Sequence, residues 1–167
     1  MAQDIKTADI AIIGTGPAGI SAAITAKIRN KEILLFGAEP VSSKVAKAHR
    51  ILNYSGLPAV SGEELAQAYK RHLDELQIAV TKKRVHAVYA MGSYFAIQAG
   101  DEQYRADSVI LACGMTADKP FPGENEFLGR GVSYCATCDA QFFKGKTVAV
   151  IGYTKESVEE AQYLAEI

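Results

Sequence analysis

The stretch of sequence that decides the fold is ADIAIIGTGPAGISAAITAKIRNKEILLF, residues 8–36. Its first segment, 8–13, is an apolar strand, and small and apolar residues recur at helical spacing over 17–28, after a proline suited to a first turn. A second short apolar strand follows at 32–36. Because parallel pairing of two strands requires a crossover between them, this stretch predicts a βαβ unit and an α/β fold class.

The turn between the predicted strand and helix reads Gly14-Thr15-Gly16-Pro17-Ala18-Gly19, a GxGxxG motif. In this context Gly14 permits the tight turn, Gly16 lets a pyrophosphate approach the backbone, and Gly19 lets helix and strand pack closely. The N-terminus of the helix stabilises the phosphate charge. The motif therefore predicts dinucleotide binding, and the alternative is a tight turn that binds nothing.

The acidic residue that contacts the ribose in such sites is expected shortly after the second strand. That strand ends in Phe36-Gly37-Ala38, and the nearest acidic residue is Glu39. Glu39 is therefore the candidate for the ribose contact.

The middle of the chain predicts a helix and then short strands. Apolar residues mark one face of a helix that ends near Gln77, and this face is predicted to lie in the core; they are Leu65, Tyr69, Leu73 and Leu76. Three β-rich segments between 84 and 105 predict a small antiparallel meander. SVILAC at 108–113 is predicted as a separate buried strand, in which Cys113 is a small core residue without a chemical role.

Proline and glycine punctuate the chain between 116 and 124, where we place a domain joint. Beyond it, KTVAVI at 146–151 and the helical segment that follows repeat the strand, turn and helix of the beginning. The prediction is therefore a Rossmann-like first domain over 1–115 and the start of a second Rossmann-like domain over 116–167.

Charge and hydropathy exclude several classes of partner. The 167 residues carry 18 Lys and Arg against 19 Asp and Glu, a formal net charge of -1, and no basic block, so neither nucleic acid nor an anionic membrane surface is expected as a partner. The longest uncharged run, Ile10 to Ala26, is shorter than a membrane span. The first ten residues do not resemble a secretory signal, and the cytoplasm is the expected location.

Cys135-Ala136-Thr137-Cys138-Asp139 is a CxxC motif followed by a carboxylate. Two thiols at this spacing can close a small disulfide, and Asp139 can move protons when the dithiol opens. The alternatives are two buried reduced cysteines or half of a zinc site, although the sequence has no second cysteine pair and no nearby histidine. Redox chemistry is the favoured interpretation.

Taken together, these segments resemble the N-terminal half of low-molecular-weight thioredoxin reductases. The resemblance covers essentially the whole chain, and its most specific part is GRGVSYCATCDAQFF. The matching segments are GTGPAG at 14–19, NYSG at 53–56, ILACG at 110–114, GRGVSYCATCDAQFF at 129–143 and KTVAVIG at 146–152.

The resemblance implies a homodimeric flavoprotein with FAD on its first domain. Electrons would pass from the flavin to the CxxC disulfide and then to a thioredoxin disulfide. By motif position, Cys138 is the thiol closer to the flavin, Cys135 attacks the disulfide of thioredoxin, and Asp139 is the acid/base. No metal is expected.

The resemblance also implies a set of FAD-binding positions. Asn53 matches an asparagine near the flavin ring, Val85 a backbone contact to adenine, and Ala112 and Gly114 a turn in which Cys113 replaces the usual threonine. The whole expected set comprises Gly14, Gly16, Pro17, Ala18, Gly19, Phe36, Gly37, Ala38, Glu39, Asn53, Val85, Ala112 and Gly114.

The second glycine loop departs from the family pattern. The family has GxGxxA there and receives NADPH, whereas this chain has Gly152-Tyr153-Thr154-Lys155-Glu156-Ser157. Thr154 places a side chain where a pyrophosphate needs bare backbone, and Glu156 places a carboxylate at the start of the helix. NADPH binding is therefore not expected, and the chain looks like a ferredoxin-dependent, flavin-type branch with reduced ferredoxin as the electron donor.

Two other readings stay open at this point. One keeps NADPH as the donor, and the other is a flavin-binding module whose CxxC senses redox state without turnover. The family's Gly-Gly-Gln-Leu segment is also absent, and Val41-Ser42-Ser43-Lys44 stands near its place, so flavin contacts there are expected to differ. Because relatives continue well past Ile167, we expect the chain to be incomplete.

Overall fold

The computed structural model describes residues 5–114 and 120–167. The chain divides into two compact units, one formed by Met1–Ala46 with Glu63–Ala117 and the other by Lys47–Gly62 with Asp118–Ile167. The first unit carries the sheet and the glycine loop, and the second carries the CxxC segment. The predicted division into domains between 115 and 116 stays a prediction.

The first unit is built on a six-stranded sheet with the order β3-β2-β1-β6-β5-β4. Its strands are β1 Lys6–Ile13, β2 Ile33–Phe36, β3 Val80–Thr81, β4 Val85–Ala90, β5 Phe95–Ala99 and β6 Glu102–Leu111. The helices of the described residues are α1 Pro17–Ile28, α2 Gly62–Glu75, α3 Glu124–Phe127, α4 Ala136–Asp139 and α5 Lys155–Ala165, with 3₁₀ turns at Val45–Lys47 and Ala140–Phe143. In the described ranges, no helix has the length and apolar character that a membrane crossing requires.

The predicted βαβ unit is confirmed. Strands β1 and β2 pair in parallel, from Ile10 opposite Ile33 to Ile13 opposite Phe36, and α1 connects them. Small and apolar side chains line the buried face of α1; they are Gly19, Ile20, Ala23 and Ala26. Their small size lets the helix lie close to the sheet, which positions the start of α1 beside the strand ends.

Strand β6 corrects one prediction, because the meander's last segment and the first four residues of SVILAC, Ser108–Leu111, form a single strand of ten residues. Its first half pairs antiparallel with β5, and it pairs in parallel with β1 as far as Leu111 opposite Ile13. Sequence periodicity cannot show this continuity, since it depends on two neighbouring strands that supply hydrogen bonds over overlapping stretches. The antiparallel meander of β4, β5 and β6 is confirmed.

The core lies where these strands meet. The rings of Phe36 and Tyr104 pack edge to face with their centroids 5.0 Å apart, among buried small and aliphatic residues of β1, β5 and β6. Full burial of each large side chain stabilises the fold by about 1.5–3 kcal/mol. Helix α2 buries Leu65, Tyr69 and Leu73, as its sequence pattern predicts. The prediction for Leu76 is wrong, because α2 ends at Glu75 and Leu76 is only half-buried.

The predicted strand at 146–151 is wrong. These residues form no strand, and Val148, Val150 and Ile151 are exposed. A strand is stable only when a neighbour pairs with its backbone, and within the described residues no strand pairs with this segment. The helix predicted after it is present as α5.

Cys113 also differs from its prediction as a core residue. Strand β6 ends at Leu111, opposite the last residue of β1, so Cys113 lies beyond the paired region. Its thiol is free and exposed, 3.7 Å from the carbonyl oxygen of Ile13.

Candidate functional site

The glycine loop lies between the carboxyl ends of parallel strands. The backbone N–H of Gly14 donates to the carbonyl of Phe36 at the end of β2, at 2.8 Å. On the other side, the N–H of Ala112, just after β6, donates to the carbonyl of Ile13 at 2.8 Å. The structure therefore brings three predicted segments, which contain Gly14, Phe36 and Ala112, to one edge of the sheet. This edge is the usual location of dinucleotide sites in α/β folds.

Two glycines of the loop are required by close backbone contacts. Gly14 has a φ of 125°, and a Cβ there would stand 2.1 Å from the carbonyl oxygen of Ala112. A Cβ at Gly19 would stand 1.9 Å from the carbonyl oxygen of Gly14. Both distances are far below contact, so neither position admits a side chain without displacement of the backbone.

Gly16 is different, because a Cβ at Gly16 would meet nothing within 4 Å. It is the N-cap of α1, no side chain caps this helix end, and Pro17 occupies the first turn. The N–H groups of the first turn therefore face an open space that a side chain at Gly16 would fill. This is the arrangement that a pyrophosphate needs, and the loop fits a dinucleotide such as FAD.

The loop after β2 is bonded to the glycine loop through two polar residues, Thr15 and Ser42, that no sequence motif singles out. The hydroxyl of Thr15 donates to the carbonyl of Ala38 at 3.2 Å, and the backbone N–H of Ser42 donates to the carbonyl of Thr15 at 2.9 Å. Thr15 and Ser42 are both buried. A Cβ at Gly37 would meet the Thr15 side chain at 2.3 Å, which explains the glycine there.

Glu39, the candidate for the ribose contact, forms an ion pair with Lys82. Lys82 lies just after β3, so the pair joins residues that are far apart in sequence. Its lysine is largely exposed and its glutamate about one third exposed. No local pattern points to Lys82, because its proximity to Glu39 follows from the parallel pairing of β2 with β3.

The other predicted FAD positions lie in different surroundings. Val85 opens β4 and packs against the core, and Gly114 follows β6 with a φ of 65°. Asn53 belongs to the second unit, unlike the glycine loop, which belongs to the first. The FAD contacts of these three residues stay predictions.

In the second unit, Cys135 and Cys138 are joined by a disulfide bond. Cys135 directly precedes α4, and Cys138 and Asp139 lie within this helix. Both cysteines are partly buried. The side-chain amide of Asn53 donates to Sγ of Cys138 at 3.7 Å.

Ser133 connects the two ends of the CxxC segment. Its hydroxyl donates to Oδ2 of Asp139 at 2.6 Å and accepts the backbone N–H of Cys135 at 3.0 Å. Ser133 lies within the GRGVSYCATCDAQFF segment, but a serine two residues before a cysteine has no distinctive pattern, so the sequence does not indicate its role.

The second glycine loop leads into α5, which begins after Thr154. The hydroxyls of Thr154 and Ser157 lie 3.2 Å apart. Hydrogen bonds from its own backbone N–H and from the Thr154 hydroxyl lower the pKa of the Glu156 carboxyl below its ordinary value. An ionised carboxylate therefore lies at the start of this helix and uses one of its N–H groups.

The fold, the glycine loop and the CxxC disulfide define a class of protein. The signature of the family described as "Pyridine nucleotide-disulphide oxidoreductase" matches residues 8–167, and the chain belongs to this family. Within it, the resemblance to thioredoxin reductases is confirmed. The thioredoxin reductase of Bacillus subtilis (strain 168) is 36% identical over 160 residues, which cover 95% of this chain and 51% of that protein.

Solved structures show the same likeness. A ferredoxin-flavin thioredoxin reductase from Clostridium acetobutylicum is 52% identical, with a TM-score of 0.66 over 97% of this chain and 56% of that chain. The thioredoxin reductase from Streptococcus pyogenes MGAS5005 is 34% identical, with a TM-score of 0.84 over 96% of this chain and 53% of that one. The chain thus spans about half the length of the relatives it matches.

Proposed function

We propose that this chain is part of a flavoprotein disulfide oxidoreductase that reduces thioredoxin. The observation that carries the proposal is the closed Cys135–Cys138 disulfide, held between the amide of Asn53 and the Ser133–Asp139 pair. A second unit that carries a redox-active disulfide complements a first unit whose glycine loop fits a dinucleotide. The similarity to thioredoxin reductases supports both parts.

The residues that would hold FAD are those at the carboxyl edge of the sheet. Gly16 and the first turn of α1 would receive the pyrophosphate, and Glu39, together with Lys82, would contact the adenosine half. Once bound and reduced by the external donor, FAD would supply the two electrons that open the disulfide. The expected contact of Asn53 with the isoalloxazine ring stays a prediction.

The cysteines then carry out thiol–disulfide exchange. Two electrons break the Cys135–Cys138 bond and leave both sulfurs as thiolates. A thiolate that takes up a proton becomes a thiol. The thiolate of Cys135 attacks the disulfide of thioredoxin, a mixed disulfide forms, and one thioredoxin sulfur leaves. Cys138 attacks Cys135 in turn, which restores the disulfide and releases reduced thioredoxin. Asp139 serves as the acid/base for these proton transfers.

Reduced ferredoxin is the electron donor in this proposal, and NADPH is not. The geometry at the start of α5 supports this choice, because Glu156 is an ionised carboxylate where a phosphate needs N–H groups, and the Thr154 hydroxyl lies 3.2 Å from that of Ser157 at the same helix start. The 52% identity to a ferredoxin-flavin thioredoxin reductase points the same way. The expected homodimer and the cytoplasmic location stay predictions.

The donor is tested by anaerobic titration of the flavin-loaded protein. Reduced ferredoxin should bleach the flavin absorbance and then generate free thiols, whereas NADPH should leave the spectrum unchanged. Rapid bleaching by micromolar NADPH would overturn the choice of donor and keep the flavoprotein assignment. Protein that takes up no flavin at all would overturn the proposed function itself.

A further inference from the structure

Ser133 makes two hydrogen bonds that connect Cys135, the first cysteine of the CxxC motif, to the carboxyl of Asp139, which directly follows the second cysteine. Its oxygen accepts the N–H of Cys135 at 3.0 Å, and its hydroxyl hydrogen points to Oδ2 of Asp139 at 2.6 Å. The carbonyl oxygen of Cys135 lies farther away, at 3.2 Å. Because a hydroxyl has one hydrogen, the shorter bond, to the carboxyl of Asp139, is the stronger of the two.

The backbone of Asp139 does not by itself determine where its carboxylate points. Its N–H bonds to the carbonyl of Cys135 at 3.2 Å, as the short helix α4 requires, but rotation about χ1 and χ2 leaves the side chain several orientations. Without a partner, a charged carboxylate favours bulk water. The bond from Ser133 selects the orientation that keeps the carboxylate beside the CxxC segment, at its Cys135 end.

We propose that Ser133 is a positioning residue of the redox centre, which holds the Asp139 carboxyl where it exchanges a proton with the cysteine sulfurs. The inference rests on the proposed function, since that function gives Asp139 its acid/base role. Ser133 itself undergoes no covalent change. Its contribution is to keep the proton donor in place while the disulfide opens and closes.

The opening of the disulfide by dithiothreitol is a reaction that shows this contribution without flavin, ferredoxin or thioredoxin. A thiolate of the reagent attacks one sulfur, the Cys135–Cys138 bond breaks, and the released sulfur keeps the electron pair and takes up a proton. The second thiol of the reagent then attacks the reagent's own sulfur in the mixed disulfide, and the cysteine sulfur leaves and takes up a proton. The reagent ends as a cyclic disulfide and the protein as a dithiol.

The decisive comparison is between Ser133→Thr and Ser133→Val, because threonine and valine have the same shape and only threonine keeps the hydroxyl. Reduction rates are measured by acid quench, alkylation and peptide mass spectrometry, which distinguishes the CxxC peptide from that of Cys113. We expect the Thr variant to react within about twofold of the wild type and the Val variant about tenfold more slowly. Ser93→Ala, an exposed serine between β4 and β5, is the control and should react like the wild type.

The same pair is then placed in an Asp139→Asn background. If Ser133 acts through the carboxylate, the difference between Thr and Val should shrink to less than about twofold there. Equal rates for the two variants in the wild-type background would overturn the proposal. An undiminished difference in the Asp139→Asn background would overturn it as well, because Ser133 would then act on the loop alone.

The outcomes of the dithiothreitol experiment can be distinguished from the outcomes of the experiments that test the proposed function. A protein that binds no flavin, or reduces no thioredoxin, would refute that function while the dithiothreitol comparison still measured the Ser133 effect. Equal Thr and Val rates in an active flavoprotein would refute only the role of Ser133.

Discussion

The side-chain amide of Asn53 donates a hydrogen bond to Sγ of Cys138, 3.7 Å away, although the two residues are 85 positions apart in the sequence. An amide N–H directed at a cysteine sulfur stabilises the thiolate more than the thiol, because the thiolate is the stronger acceptor. The contact therefore affects the sulfur that the proposed function assigns to electron uptake.

The first prediction concerns this contact. Asn53→Ala should slow the alkylation of Cys138 by iodoacetamide in the reduced protein about three- to tenfold at neutral pH, since loss of the hydrogen bond lowers its thiolate fraction. Peptide mass spectrometry measures the rate at each cysteine separately. Asn125→Ala, an exposed asparagine of α3, is the control. An unchanged rate at Cys138 in Asn53→Ala would contradict the prediction.

The second prediction separates ligand binding from packing in the glycine loop. Gly16→Val should weaken FAD binding at least about tenfold and leave the thermal unfolding midpoint of the flavin-free protein unchanged, because its side chain enters open space. Gly19→Ala should destabilise the flavin-free protein by about 1–3 kcal/mol, because its Cβ would overlap the carbonyl of Gly14.

Flavin fluorescence titration and thermal unfolding measure the two effects. Wild-type FAD affinity in Gly16→Val would show that the pyrophosphate does not occupy the space in front of Gly16. A wild-type midpoint in Gly19→Ala would show that the loop relaxes around the added methyl group.

The third prediction tests turnover. Cys138→Ser should lower thioredoxin reduction by the flavin-loaded protein more than about 100-fold, because Cys135 alone cannot close the disulfide cycle. Cys113→Ser is the matched control, since this cysteine is free and exposed, and it should keep the wild-type rate. Thioredoxin reduction is measured by the appearance of free thiols on thioredoxin. A wild-type protein without turnover, despite bound flavin, would favour a redox-sensing module.

The fourth prediction concerns pH and the polar cluster between β4 and β6. Hydrogen bonds from the Lys83 ammonium and then the Tyr104 hydroxyl lower the pKa of the Glu102 carboxyl below its ordinary value of 4.5. A group with a lower pKa in the folded state stabilises the fold above its unfolded value, and this contribution is lost as the pH falls through the folded value. Glu102→Gln should therefore be less stable than the wild type at neutral pH.

This difference should shrink as the pH falls through the lowered pKa of Glu102, because the wild-type side chain then becomes neutral like that of the variant. Urea unfolding at several pH values measures it. Glu126→Gln, at an exposed position of α3, is the control. A stability gap that stays constant from neutral to acid pH would assign the effect to packing instead of charge.

Local sequence patterns predicted the first βαβ unit closely. The predicted helix 17–28 coincides with α1, and the predicted strands at 8–13 and 32–36 differ from β1 and β2 by two residues or fewer at each end. Here hydrophobic periodicity, Pro17 and the glycine turn all favour the same structure, so local preference and tertiary packing agree. The glycine motif and the CxxC motif could be recognised for the same reason.

Predictions that depended on distant pairing were less successful. The segment 146–151 has the composition of a buried strand but forms none, because composition cannot supply a pairing neighbour. Cys113 follows an apolar run yet is exposed, because β1 ends opposite Leu111. Both errors concern the positions at which a strand pairs with a neighbouring strand.

The amino-acid sequence by itself determined the fold class, the glycine turn and the cysteine pair, because each depends on residues close together along the chain. Only the tertiary structure decided that Asn53 lies against Cys138, that Lys82 pairs with Glu39, and that β6 is one strand. These relationships join distant segments whose approach depends on how the whole chain packs, and no local pattern of residue types records which distant groups will meet.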